Sequence, residues 1–183
     1  MAESVNKYDG FYVGRYETSR NGLNPQSKRS TAVSGSGEEI ITAYNSSTEN
    51  DWYGLYALNK KYSTSSVQGS MIWGIQYDAM MTWMGDEANT TITEYNKERR
   101  CGTAENDVIK NVYDLYGNSW EWTLEADYTY GRAYRGGYSY SSSSPSYRSY
   151  RYPTDTYGYN GSRLVLYVCR VDWDESVNES VKF

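Results

Sequence analysis

Residues 111–123 read NVYDLYGNSWEWT. Val112, Tyr113 and Leu115 make a compact apolar run with the Trp120/Trp122 pair, and Gly117-Asn118 between them supplies a turn. Trp120 and Trp122 alternate around Glu121, so in an extended strand both rings point to one face. Their expected role is core packing, since large aromatic area suits a loop-rich core short of aliphatic side chains.

Downstream, RAYRGGY (132–138) carries Gly136 and Gly137, which suit a positive φ or a close backbone approach. The stretch YSYSSSSPSYRSYRYPTDTYGY (138–159) follows, and then GSRLVLY (161–167). Leu164, Val165, Leu166, Tyr167, Val168 and Cys169 predict a continuous apolar strand buried on both faces. Upstream, Phe11, Val13 and Tyr16 around Gly14 predict an opening strand. Residues 17–48 are rich in Ser, Thr, Asn and Gly and predict a long irregular connection. Trp52, Leu55, Tyr56 and Asn59 are spaced as one helical face, with Lys60 and Lys61 near the end where cations suit the helix dipole. A second helix is expected from about Gln76 to Met84, with Tyr77, Met80, Met81 and Met84 on one face, Asp78 in the first turn and Gly85 as the stop. Residues 85–109 are polar and weakly patterned, and 172–183 read as an exposed acidic tail. Two short helices, small antiparallel sheets and a high loop content make an α+β class. One domain spans 1–183, with a core over about 11–171.

Composition excludes several functions. The 183 residues carry 18 basic and 23 acidic side chains, a net charge of −5, which argues against a nucleic-acid partner. Arg135, Arg148 and Arg151 form a local basic patch, too few for a phosphate groove. No run approaches the roughly 18 apolar residues of a membrane span, so no membrane insertion is expected. The opening MAESVNKYDG lacks the apolar core of a secretory signal. There is no histidine, which removes the usual general base and the commonest transition-metal ligand. Cys101 and Cys169 fit no metal spacing, and one sequence does not decide whether they pair. These absences weaken most enzyme readings, and no metal ligand or cofactor is expected, with a structural calcium left open.

The segments at 111–123, 132–138 and 161–167 resemble the formylglycine-generating-enzyme-like branch of the C-type lectin fold, whose patterns run "GLYDMxGNVWEWT", "RxxRGGSW" and "GFRLV". VGRYETS (13–19) looks like the opening strand of that family, and IWGIQYDAMMTWM (72–84) like its strand and helix. Ser162 departs from the family, where Phe is usual. The oxidising enzymes of this branch hold copper through a closely spaced cysteine pair, and the related sulfoxide synthases hold iron through histidines. Cys101 and Cys169 lie far apart and histidine is absent, so the resemblance implies a non-catalytic member. Such members include the variable proteins of diversity-generating retroelements, which rewrite adenines in a C-terminal coding segment, largely at AAC or AAT codons.

The residue diet of 138–160 agrees with that implication. Tyr and Ser dominate it, and Lys, Gln, Glu, Met and Trp, which those codons do not reach, are absent from it. The same diet resembles a paratope, with stiff Tyr area and adaptable Ser hydrogen bonds. The expected ligand-binding residues are Tyr138, Tyr140, Tyr147, Ser149, Tyr150, Arg151, Tyr152, Asp155, Tyr157, Tyr159 and Asn160. Gly136-Gly137, Pro145, Arg148, Pro153, Thr154, Thr156 and Gly161-Ser162-Arg163 are the expected framework. The resemblance implies a protein or glycan ligand on a cell surface, and residence on a phage particle or a bacterial surface. The alternatives are a calcium-dependent sugar-binding lectin using Asp114, Glu121, Glu125 and Asp127, and an oxidase of the formylglycine-generating type using Cys101 or Cys169.

Overall fold

The computed structural model describes residues 2–21, 24–29, 38–40, 51–86, 101–127, 129–138, 144–156 and 160–169. Its helices are α1 (Ala2–Tyr8), α2 (Trp52–Lys60) and α3 (Gly74–Met84). The strands are β1 (Tyr12–Val13), β2 (Ser19–Asn21), β3 (Asn24–Gln26), β4 (Glu38–Ile40), β5 (Val67–Met71), β6 (Val108–Ile109) and β7 (Val112–Tyr113). They continue with β8 (Trp120–Ala126), β9 (Arg132–Arg135), β10 (Arg148–Arg151), β11 (Asn160–Ser162) and β12 (Leu164–Val168). The class is mixed α+β.

The two helices expected from periodicity are present. In α2, Trp52, Leu55, Leu58 and Asn59 are buried, and Asp51 caps the start by accepting from Gly54 N–H at 2.8 Å. In α3, Tyr77, Met80, Met81 and Met84 form the buried face, and Gly85 ends the helix at φ 66°, where a side chain would be strained. The helix starts at Gly74 rather than near Gln76, so Asp78 lies beyond the first turn. Its carboxylate meets arginines instead of the helix dipole.

β12 is the centre strand of a sheet ordered β1-β12-β5, antiparallel throughout. Leu164, Val165 and Tyr167 are buried, while Leu166 and Val168 are half-buried. A second sheet is ordered β10-β9-β8-β11, and β11 runs parallel to β8, against the expectation of antiparallel pairing alone. In β8, Trp122 is fully buried and Trp120 half-buried, and both rings meet the ring of Tyr134 in β9, at 5.5 and 4.6 Å. Gly136, at φ 78°, follows β9 and makes the turn into the Tyr/Ser segment.

Three further structures complete the fold. α1 was not anticipated; its Ser4 hydroxyl accepts from Val168 N–H at 3.2 Å, tying it to β12. Within the expected irregular connection, β3, β2 and β4 pair as a small sheet built mostly from polar residues. Backbone hydrogen bonds define that sheet, and they leave no period in the side chains. β6 and β7 pair as a hairpin around Lys110 and Asn111, both at positive φ.

The interior also holds polar clusters. Asn59 donates to Leu55 O and to Ser162 Oγ, each at 2.8 Å, and accepts from Thr18 Oγ1 at 2.9 Å. All three of these side chains are buried. Ser162 therefore completes a hydrogen-bonded network that an apolar side chain could not enter.

Candidate functional site

The Tyr/Ser segment enters the second sheet through β10, which pairs with β9 in the register Arg148↔Arg135, Ser149↔Tyr134, Tyr150↔Ala133 and Arg151↔Arg132. Among the described residues β10 pairs with β9 alone and is the sheet's edge. Framework contacts fix it from beneath. Tyr77 of α3 donates its hydroxyl to Pro145 O at 3.2 Å, and Trp52 N–H at the start of α2 donates to Pro153 O at 3.0 Å. Asp78 bridges Arg135 Nη2 at 2.7 Å and Arg148 Nη2 at 2.6 Å. Arg148 Nε also reaches Glu125 Oε1 at 3.2 Å. Two helices and β8 thus hold one short strand.

Tyr147, Tyr150 and Tyr152 are 48, 42 and 61% exposed. Tyr147 and half-buried Tyr138 lie against Trp120, with ring centroids 5.6 and 5.5 Å away. Tyr150 donates to Glu125 Oε1 at 3.1 Å, and burial with that carboxylate contact pushes its phenol above the ordinary range. Arg151 is exposed and its Nε donates to Tyr134 Oη at 3.3 Å. Ser149 and Asp155 are half-buried. Tyr140, Tyr157 and Tyr159 lie outside the described residues. Asn160 corrects an expectation: it is 1% exposed, opposite Trp120 in β11, and so belongs to the sheet interior rather than to an exposed face.

Beside β10 runs a groove of about 900 Å³ between α2, the start of α3 and β8. Trp52, Tyr56, Trp73, Ile75, Leu124, Glu125, Arg132 and Arg148 are among its lining residues. Gly74 makes room here, because a Cβ on it would lie 2.0 Å from Glu125 Oε2. Sequence reasoning missed this groove. Trp52 was legible only as part of a helix face, and Trp73 and Ile75 only as part of the 72–84 segment. The one available signal was apolar Trp73 before α3 and Ile75 in its first turn, both off the buried stripe.

The carboxylates weighed for calcium do not make a cage. Asp114 Oδ2 accepts from Gly102 N–H at 2.5 Å, and both oxygens of Glu121 are held by Arg163. Glu125 Oε1 serves Arg148 and Tyr150, while Asp127 accepts from Thr129 and Gly131. Among the described residues, Glu17, Cys101 and Asp114 form a buried group with one ligand atom each, all within 4.8 Å. Its thiol does not suit calcium, which takes oxygen ligands. Burial pushes the Glu17 carboxyl and the Cys101 thiol well above their ordinary ranges; the charges of Asp114 and Glu121 add to the first, and those of Glu17 and Asp114 to the second. The Glu17 carboxyl accepts from the Asn118 amide and from Ser119 N–H at 3.1 Å, within the protein. Cys101 and Cys169 are both free thiols.

Comparison with protein-family models, curated proteins and solved structures finds no match. Among the described residues, no helix is long and apolar enough to cross a membrane.

Proposed function

We propose that this chain is a non-catalytic, hypervariable ligand-binding protein, built on a C-type lectin fold of the formylglycine-generating-enzyme-like type and diversified by a retroelement across 138–160. It binds a protein or glycan on a cell surface, as a phage receptor-binding or bacterial surface-display protein, and needs no cofactor. The observation that carries this reading is the pairing of exposed Tyr147, Tyr150 and Tyr152 with a backbone anchored through Pro145, Arg148 and Pro153. Exposed aromatic residues on an edge strand invite unwanted association, so a binding role accounts for their presence. Tyr supplies contact area with only two side-chain torsions, which lowers the ordering cost on binding.

The test selects binders to the whole chain from a library of surface proteins and glycans, then repeats binding with Tyr150→Ala and Tyr152→Ala. Each central Tyr should contribute about 2 kcal/mol or more to binding, with the fold unchanged. Full binding by the double variant would remove this surface from consideration. The diversification is tested separately in the neighbouring DNA. A near-repeat of the codons for about 130–167, differing at adenines and accompanied by a reverse transcriptase, is expected, and its absence would reduce the reading to a fixed binding domain.

A further inference from the structure

The β9–β10 ribbon carries four arginines and no carboxylate: Arg132, Arg135, Arg148 and Arg151. The register sets them directly opposite each other in two pairs, Arg135 with Arg148 and Arg132 with Arg151. Like charges facing across strands repel, so each pair calls for an anion. At one end Asp78 supplies it, bonding both guanidinium groups. At the other end, Arg132 has no carboxylate partner among the described residues. Its guanidinium instead lies 4.6 Å over the Trp52 ring. That ring is itself fixed, by its Nε1–H to Thr123 O at 2.7 Å and by stacking on Tyr56 at 5.3 Å. A stacked guanidinium keeps its donor fork available in its own plane and loses little entropy on binding a carboxylate.

Arg132 lines the groove of about 900 Å³, a volume suited to a small ligand or an inserted side chain. Apolar area lies in the same groove: Trp73 is 41% and Ile75 71% exposed, with Leu124 below. These positions stand outside the Tyr/Ser segment. Resting on the binding role proposed above, we infer that this groove is a constant subsite for a polypeptide segment that places a carboxylate beside an apolar side chain. The carboxylate meets Arg132, and the apolar group enters against Trp73 and Ile75. The variable tyrosines then choose among ligands that share this acidic-apolar element.

The test titrates the isotope-labelled full chain with the blocked dipeptides acetyl-Phe-Asp-amide and acetyl-Phe-Asn-amide, which differ in charge but hardly in shape. The Arg132 Nε–H and Trp73 indole N–H resonances report binding, with Arg132→Lys identifying the first. The acidic dipeptide should shift both and bind about tenfold more tightly than the neutral one. Arg132→Gln should abolish that preference, and Trp73→Ala should weaken both dipeptides alike. Equal binding of the two dipeptides, no shift at either resonance, or a preference that survives Arg132→Gln overturns the inference. Arg132→Lys keeps the charge and guards against misfolding, since it should retain part of the preference. Because no variable tyrosine is altered, failure here leaves the role of Tyr150 and Tyr152 to its own experiment.

Discussion

Arg163 and Glu121 form a buried ion pair, with Arg163 Nε 2.9 and 3.0 Å from the two carboxylate oxygens and the residues 0 and 1% exposed. The remaining donors of Arg163 reach Gly14 O and Tyr113 O, each at 2.9 Å. One side chain therefore ties the end of β1, β7 and β8 to the turn before β12. Burial alone would lower the Arg163 pKa, but the Glu121 charge and hydrogen bonds outweigh it and hold it above its ordinary value. Arg163→Met leaves Glu121 buried without its cation and should cost about 3–5 kcal/mol. Urea denaturation at constant m-value measures it, and a loss below about 1 kcal/mol would mean the pair is solvated.

Glu17 should make stability fall with rising pH. Its carboxyl is pushed up first by burial and then by the charges of Asp114 and Glu121, against Arg163 and the Asn118 amide. The folded chain thus binds this proton more tightly than the unfolded chain. The resulting stability is complete below the ordinary carboxylate range and is lost as pH rises through the folded value. Glu17→Gln is neutral at every pH and should remove this slope, which reaches at most about 1.4 kcal/mol per pH unit. Urea midpoints from about pH 4 to about pH 8 compare the two proteins. Identical pH profiles would show that Glu17 ionises as freely in the fold as outside it.

The two thiols should differ sharply in reactivity. Cys101 is fully buried, and burial, followed by the charges of Glu17 and Asp114, pushes its thiol up. Cys169 is half-buried beside Ser66, at the end of β12. Since the thiolate is the reactive form, a disulfide reagent at neutral pH should label Cys169 promptly and Cys101 only on unfolding. Mass spectrometry of the native protein reads this directly. Prompt labelling of both would contradict the enclosed position of Cys101.

Legibility followed apolar pattern. Tyr77, Met80, Met81 and Met84 announced α3, and Leu164 to Val168 announced β12, because burial on one face or both leaves a period in the residues. Asn59 was readable only by its spacing, on one helical face with Trp52, Leu55 and Tyr56. Its reason is Ser162, 103 positions away, which no local window contains. The sheet of β2, β3 and β4 was invisible because its pairing is carried by backbone groups. At the site, composition exposed Tyr147, Tyr150 and Tyr152 but misplaced Asn160. The same composition said nothing of Arg132 over Trp52, since that contact joins residues 80 positions apart, one in β9 and one at the start of α2.

Asp78 links stability to the binding face. It joins Arg135, whose side chain is 3% exposed, to Arg148, whose side chain is 38% exposed. Its own side chain is 46% exposed, so water screens the outer contact and Arg148 alone contributes at most about 1 kcal/mol. Arg135 is the costly partner, because without Asp78 its buried Nη2 keeps only Ser146 O at 3.3 Å. Asp78→Asn retains the shape but not the charge, and should destabilise the fold by about 2 kcal/mol. It should also release the Arg148 end of β10 from α3 while Tyr77 still holds Pro145 O. Hydrogen exchange at the amides of β10 should then accelerate more than exchange in β12. Equal acceleration in both strands would mean that Asp78 supports the whole fold and gives β10 no particular hold.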